Sequence, residues 1–145
     1  MAAARFAILF LTLGAIAADA DLSRADLELL QNPSGWQYVD VFDKDNGVQM
    51  HHVCFEEGHP NPDVCSGTLK FSSDGTFAQI ITIHGKDVNR HGTYQVDDSQ
   101  ITFTDELGTK DGPYALELNA AAKTLRFMTD QAGVKIGADL RLMEH

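Results

Sequence analysis

Apolar and polar residues alternate along the chain from Gly67 to Phe103, and turn sequences interrupt the alternation three times. Asp74-Gly75 lies between two alternating runs, an arrangement typical of a β-hairpin. The polar run 97–99 separates two further alternating runs in the same way. This stretch therefore predicts four consecutive antiparallel strands.

The same alternation continues on both sides of this stretch. Residues 36–42 and 48–57 flank a turn that ends in Asn-Gly, and three shorter runs follow at 114–118, 125–128 and 134–143. Eight or nine short strands at nearly regular spacing favour a barrel or a sandwich. The connections are too short for the crossovers of a Greek key. The sequence therefore predicts an all-β fold, an antiparallel up-and-down barrel of about eight strands.

A short helix is predicted before the first strand. Ser23 is suited to the N-cap position, Asp26 follows three residues later, and the run 32–35 ends the helix. Two helical turns are unstable alone in water. We therefore expect the leucine face of this N-terminal helix to pack against the sheet, at an open end of the barrel.

The first residues have the layout of a secretory signal peptide. Arg5 precedes an apolar run at 6–17, and Ala18-Asp19-Ala20 fits an A-x-A cleavage site. A membrane anchor is the alternative, but the run is shorter than the roughly 20 apolar residues that span a bilayer. The prediction is a signal peptide at residues 1–20, one domain at residues 21–145, a secreted or periplasmic location, and no membrane anchor after cleavage.

The chain is acidic, with a formal net charge of −10. An acidic surface repels phosphate groups, so neither nucleic acid nor anionic lipid is an expected partner.

Two cysteines, Cys54 and Cys65, flank a loop that contains glycine and two prolines. In an oxidising compartment such a pair predicts a disulfide bond. A metal site that combines the two thiolates with His59 is the alternative, but it lacks a fourth ligand.

Six histidines offer the other candidate metal ligands, but none has the H-x-H or H-E-x-x-H spacing. His84 and His91 flank the predicted turn at 85–90, so they could approach each other as a weak candidate metal site. Solvated loop histidines are the preferred interpretation, and no cofactor is predicted.

Catalytic residues are not predicted either. The chain has no G-x-S-x-G nucleophile elbow, and both thiols are assigned to the disulfide. Asp40 is the one carboxylate expected on a strand face with aromatic residues, since alternation places it with Trp36, Tyr38 and Phe42. No partner acid or base is evident for it, so whether the protein is an enzyme stays open, with a non-enzyme favoured.

Aromatic residues are distributed at one or two per predicted strand. A small eight-stranded barrel either fills its interior with side chains or encloses one small ligand, and both cases place aromatic residues inside. The residues predicted to line a ligand site at the barrel mouth are Trp36, Tyr38, Asp40, Phe42, Phe71, Phe77, Tyr94 and Phe103.

Part of the pattern resembles the lipocalin-like, or calycin, group of proteins. Gly35-Trp36 begins the first strand after a short helix, although the lipocalin motif has one residue between the glycine and the tryptophan. The meander then resembles the run G-x-L-x-F, D-G-x-F, G-x-Y-x-V and I-x-F of bacterial lipocalin-like domains, carried here by Gly67, Leu69, Phe71, Asp74, Gly75, Phe77, Gly92, Tyr94, Val96, Ile101 and Phe103. The resemblance implies a small secreted barrel that binds a ligand.

Three functions are compatible with these observations. The first is a secreted or periplasmic protein that holds a small apolar molecule in the barrel mouth. The second is a protein-interaction module, such as a secreted inhibitor or effector, that acts through loops 58–63 and 106–112. The third is an enzyme or metal protein that uses His84, His91 and Asp40.

Overall fold

The computed structural model describes residues 22–144, so the predicted signal peptide lies outside the described residues. One helix and eleven strands make up this part of the chain: α1 (Arg24–Leu30), β1 (Trp36–Asp45), β2 (Val48–Val53), β3 (Phe55–Glu56), β4 (His59–Pro60), β5 (Cys65–Phe71), β6 (Thr76–Ile83), β7 (Lys86–Asp97), β8 (Gln100–Asp105), β9 (Lys110–Asn119), β10 (Thr124–Gln131) and β11 (Val134–Leu142). Within the described range, no helix has the length and apolar character needed to cross a membrane.

Eight of the strands form a closed antiparallel barrel. Strands β5 to β11 pair in chain order, and β1 closes the sheet by pairing with β5 on one side and β11 on the other. The prediction of an all-β, eight-stranded antiparallel barrel with a short N-terminal helix is confirmed.

Strands β2 and β5 act as two halves of one strand along the same side of β1. Val53 at the end of β2 pairs with Asp40 of β1. Thr68 of β5 pairs with Gln37, which is nearer the start of β1. Between the two halves, residues 54–64 leave the barrel and return, carrying the small β3–β4 hairpin. We call these residues the excursion.

The Cys54–Cys65 disulfide joins the two ends of the interrupted strand. Its Cα atoms lie 4.4 Å apart, and both cysteines are buried. The predicted disulfide is therefore confirmed, and it fixes the base of the excursion to the barrel wall.

A β-bulge at Val39 changes which residues of β1 face the interior. Tyr38 pairs with Leu140, but Asp40 pairs with the next residue along β11, Asp139. Because one extra residue reverses the alternation, Tyr38 points inward while Asp40 lies on the outer face. The expectation that Asp40 and Phe42 share a face with Trp36 and Tyr38 was therefore wrong.

Helix α1 closes one end of the barrel. Leu30 is fully buried, and its backbone carbonyl accepts a hydrogen bond of 2.9 Å from the indole Nε1 of Trp36. Gln31 donates a bond of 2.6 Å to the hydroxyl of Tyr94, which itself donates to the backbone oxygen of Ser72. The helix is thus held by apolar packing and by hydrogen bonds that satisfy the polar atoms it buries. We call this closed end the helix end.

Aromatic rings fill the middle of the barrel around Phe103. The ring centroid of Phe103 lies 5.0 Å from that of Phe77, 5.4 Å from that of Phe127 and 6.1 Å from that of Phe71. All four side chains are buried. At these distances the rings pack directly against one another and leave no room for a ligand in this layer.

Candidate functional site at the barrel mouth

The end of the barrel opposite α1 is open, and we call it the mouth. Because the strands alternate in direction, the turns at 46–47, 84–85 and 132–133, the loop 106–109 and the excursion all lie at this end. These turns and loops therefore surround one opening.

A cavity of about 160 Å³ opens at the mouth. Its walls are mainly aliphatic, and five of the side chains that form them are Val41, Ile81, Ile83, Val88 and Ile136. Tyr38, Gln79, Arg90, Asp111 and Tyr114 add polar groups to the same cavity. An aliphatic wall combined with a few polar groups is the usual composition of a small-molecule site.

Four of these polar residues, Gln79, Arg90, Asp111 and Tyr114, form one hydrogen-bonded set, which we call the Arg90 cluster. Arg90 donates one bond of 3.2 Å to Asp111 and another of 3.0 Å to Gln79. The hydroxyl of Tyr114 donates to the other oxygen of Asp111. The Nε atom of Arg90 is buried and has no hydrogen-bond partner among the described residues. A buried donor without a partner is costly, so the cluster carries one unsatisfied polar group next to the cavity.

Two tyrosines of the cavity are held in the neutral form. Burial raises the pKa of Tyr38 far above its ordinary value, and the nearby Arg90 guanidinium offsets only part of this effect. Burial also raises the pKa of Tyr114, and its hydrogen bond to Asp111 raises it further. Both hydroxyls therefore keep their proton at neutral pH and can act as hydrogen-bond donors.

The seven aromatic residues predicted to line the ligand site lie in three different places. Tyr38 lines the mouth cavity from inside the barrel, whereas Phe42 borders it from the other face of β1, where its ring centroid lies 5.7 Å from that of His51. Tyr94 lies at the helix end, beside a separate cavity of about 170 Å³ that Leu22 and Leu27 also line. The remaining aromatic residues of the set, Trp36, Phe71, Phe77 and Phe103, belong to the packed core.

Asp40 is the only non-aromatic residue of the predicted ligand site, and it lies on the outer face of the barrel. One of its carboxylate oxygens lies 2.9 Å from Nδ1 of His51, and the other is buried and has no hydrogen-bond partner within residues 22–144. Its strand neighbour Asp139 binds Arg126 at 2.6 Å, and this contact raises the pKa of the arginine. Asp40 therefore belongs to a row of charged side chains across the outer face, away from the mouth cavity.

The two candidate metal-binding histidines are not brought together. His91 pairs across the sheet with Ala78 and contacts Glu106 at 2.9 Å. His84 lies in the β6–β7 turn, six residues along the chain from Ala78, which is about 20 Å at the rise of a strand. His84 instead contacts His52, with 3.2 Å between their nearest ring nitrogens. Across residues 22–144, no group of three or more His, Cys, Asp or Glu side chains is arranged to hold a metal ion.

Sequence reasoning missed the Arg90 cluster and the contact between His52 and His84. Arg90 has the same strand parity as Tyr94 and Val96, so extending the alternation of β7 backward would have placed it inside the barrel. Assigning residues 85–90 to a turn concealed this signal. Asp111 lay in a polar run interpreted as a loop, and no local pattern indicated that it would face Arg90.

No protein-family model, curated protein or solved structure matches this chain. The fold and the site define a closed eight-stranded antiparallel barrel with one end plugged by a helix and the other open to a small cavity.

Proposed function

We propose that this protein is a secreted or periplasmic lipocalin-like binding protein that holds one small ligand in the barrel mouth. The observation that carries the proposal is the cavity with an aliphatic wall and the Arg90 cluster. The closed barrel with its N-terminal helix and the Cys54–Cys65 disulfide support the proposal, since disulfides persist in oxidising compartments.

The volume of the cavity limits the ligand. Drug-sized ligands occupy sites of about 300–1,000 Å³, whereas a cavity of about 150 Å³ lined by aliphatic and aromatic side chains holds a molecule the size of benzene. At about 160 Å³, the mouth suits a single ring or a short branched chain.

The chemistry of the cavity refines the expectation of a purely apolar ligand. The aliphatic side chains would contact an apolar body, while Arg90 and the neutral hydroxyl of Tyr38 offer hydrogen-bond donors. A carbonyl or carboxylate head group accepts such bonds, and bonds to a guanidinium are among the stronger ones in proteins. The ligand class is thus a small apolar molecule that carries one acceptor group.

The proposal can be tested with benzoate as probe and toluene as its match without the acceptor group. In NMR spectra with labelled methyl groups, benzoate should shift the resonances of Ile81, Ile83 and Val88 and leave those of Leu22 and Leu27 unchanged. Arg90→Met should weaken benzoate binding and leave toluene binding nearly unchanged. Shifts confined to the helix end, or equal loss of both probes in the variant, would contradict the proposal.

Trp36 is a poor reporter for this test. Its indole is fully buried at the helix end and is hydrogen-bonded to Leu30, so its fluorescence senses the packing of α1 rather than the mouth.

A protein-interaction module is the second candidate, and one observation favours it. Leu107 is 85% exposed at the tip of loop 106–109, which lies at the mouth. Exposed apolar side chains on loops that a rigid scaffold holds are common in binding surfaces. A partner retained from the native compartment by the wild-type protein and lost with Leu107→Ser would support this role, whereas retention by both proteins would count against it.

A further inference from the structure

Two imidazole rings meet at the rim of the mouth. Nδ1 of His52 lies 3.2 Å from Nε2 of His84, and the ring centroids are 5.2 Å apart. The side chain of His52 is only 13% exposed, while His84 is open to solvent. We call these two residues the histidine pair.

The spacing of the histidine pair fits the coordination of a metal ion. Zinc binds imidazole nitrogens at about 2.0–2.1 Å, so two such ligands at a tetrahedral angle lie about 3.3 Å from each other. The observed separation of 3.2 Å needs almost no movement of the strands. We propose that His52 and His84 bind a divalent transition-metal ion, such as Cu²⁺ or Zn²⁺, at the rim of the barrel mouth.

Asp43 supplies the outer contact that such a site requires. Its Oδ2 atom lies 3.5 Å from Nε2 of His52, the ring nitrogen that faces away from His84. A carboxylate beside this nitrogen favours the tautomer with its proton on Nε2, which leaves the lone pair of Nδ1 for the metal. His84 presents its Nε2 lone pair in the tautomer that carries its proton on Nδ1, and the ion would then replace the hydrogen bond between the two rings.

The disulfide holds both ligands in place. Cys54 follows His52 by two residues, and its partner Cys65 follows Val64 directly. The backbone oxygen of Val64 accepts a hydrogen bond of 2.9 Å from the backbone N–H of His84. The bridge therefore connects the strand of one ligand to the turn of the other, which reduces the conformational entropy lost when the metal binds.

The turn itself does not require a histidine. His84 and Gly85 have φ of +50° and +79°, nearly the same as Asn46 and Gly47 in the β1–β2 turn at +53° and +79°. Asn-Gly is the preferred pair for this two-residue hairpin turn. His84→Asn should therefore remove the imidazole while keeping the turn, which makes it a sharp test variant.

Two side-chain ligands imply that water completes the coordination shell. Imidazole ligands suit Cu²⁺, Zn²⁺ and Ni²⁺, and Cu²⁺ binds most tightly to a given nitrogen site. The exposed His84 leaves the ion accessible from solvent. The metal site does not depend on the ligand that we propose for the cavity, although Asp43 borders both sites.

The test titrates the untagged chain, residues 21–145, with Cu²⁺ and follows binding by calorimetry and by electron paramagnetic resonance. We expect one tight equivalent per chain, with nitrogen couplings from two imidazoles. His84→Asn should lose this tight equivalent and one nitrogen coupling. Asp43→Asn should keep both couplings and weaken binding by about 10- to 100-fold, as outer contacts of metal-bound histidines do.

His59→Asn is the matched control, because His59 is exposed on the excursion and lies outside the pair. It should bind Cu²⁺ as the wild-type chain does. Circular dichroism on all variants separates loss of the site from loss of the fold. Cu²⁺ binding that is absent from the folded wild-type chain, or that persists unchanged in His84→Asn, overturns the proposal.

Discussion

The two ends of this barrel differ in how they handle polar groups. At the helix end, the indole of Trp36 and the hydroxyl of Tyr94 are both hydrogen-bonded to the segment that covers them. At the mouth, the buried Nε of Arg90 has no partner in the part of the chain that the structure describes, and His52 and His84 bond to each other where solvent can reach them. The helix end therefore covers its bonded polar groups, whereas the mouth leaves polar groups where a ligand or a metal ion could bind.

The largest expected effect concerns the packed core that supports both ends. Phe103→Ala should lower the free energy of unfolding by about 3–5 kcal/mol, because it removes a ring that contacts several others and leaves a cavity. Urea denaturation would measure the change. Leu107→Ala is the control, since this exposed side chain should contribute less than about 0.5 kcal/mol. Similar losses for both variants would show that the rings do not form the core.

Removal of the disulfide should have the second-largest effect, and it should destabilise the mouth. Replacing Cys54 and Cys65 together by Ala frees a loop with a sequence separation of 11, which costs about 3 kcal/mol in the chain-entropy model. Hydrogen exchange should quicken first in β2 and the excursion, because these segments depend on the bridge. Faster exchange at α1 instead would mean that the disulfide supports the helix end.

Alkaline pH should lower the free energy of unfolding through the two tyrosines of the mouth. The pKa values of Tyr38 and Tyr114 are raised in the folded state, so the unfolded chain loses these protons first as the pH rises above about 10. The folded state then binds more protons than the unfolded state, and stability falls by up to about 1.4 kcal/mol per pH unit for each tyrosine.

Tyr38→Phe tests this pH dependence because it removes one of the two groups. Denaturation midpoints measured between pH 8 and pH 11 should fall less steeply for the variant than for the wild-type chain. Parallel curves for the two proteins would contradict the raised pKa of Tyr38 in the folded state.

The smallest expected effect concerns the start of α1. The side chain of Ser23 accepts a hydrogen bond of 3.0 Å from the backbone N–H of Asp26, as the N-cap prediction requires. Ser23→Ala should lower the free energy of unfolding by about 1 kcal/mol. Trp36 fluorescence would report it, since α1 covers the indole. Ser23→Asp, which keeps an N-cap acceptor, should restore the wild-type value.

Much of the fold could be predicted because its causes are local. Period-two alternation defined most strands, Asp-Gly and Asn-Gly marked turns, and two cysteines around a proline-containing loop indicated the disulfide. The candidate site was harder, because Arg90 meets Asp111 and His52 meets His84 across strands that are distant in sequence. Neither contact leaves a local pattern.

The sequence by itself determined that short strands would alternate inward and outward and pair with their neighbours. Only the tertiary structure decided the phase of that alternation after Val39, where the bulge turned Asp40 outward, and the path of residues 54–64, which divides one strand into two. The physical reason is that alternation depends on the backbone geometry of each residue, whereas the pairing register depends on contacts with residues of the opposite strand. A shift of one residue reverses every side chain beyond it.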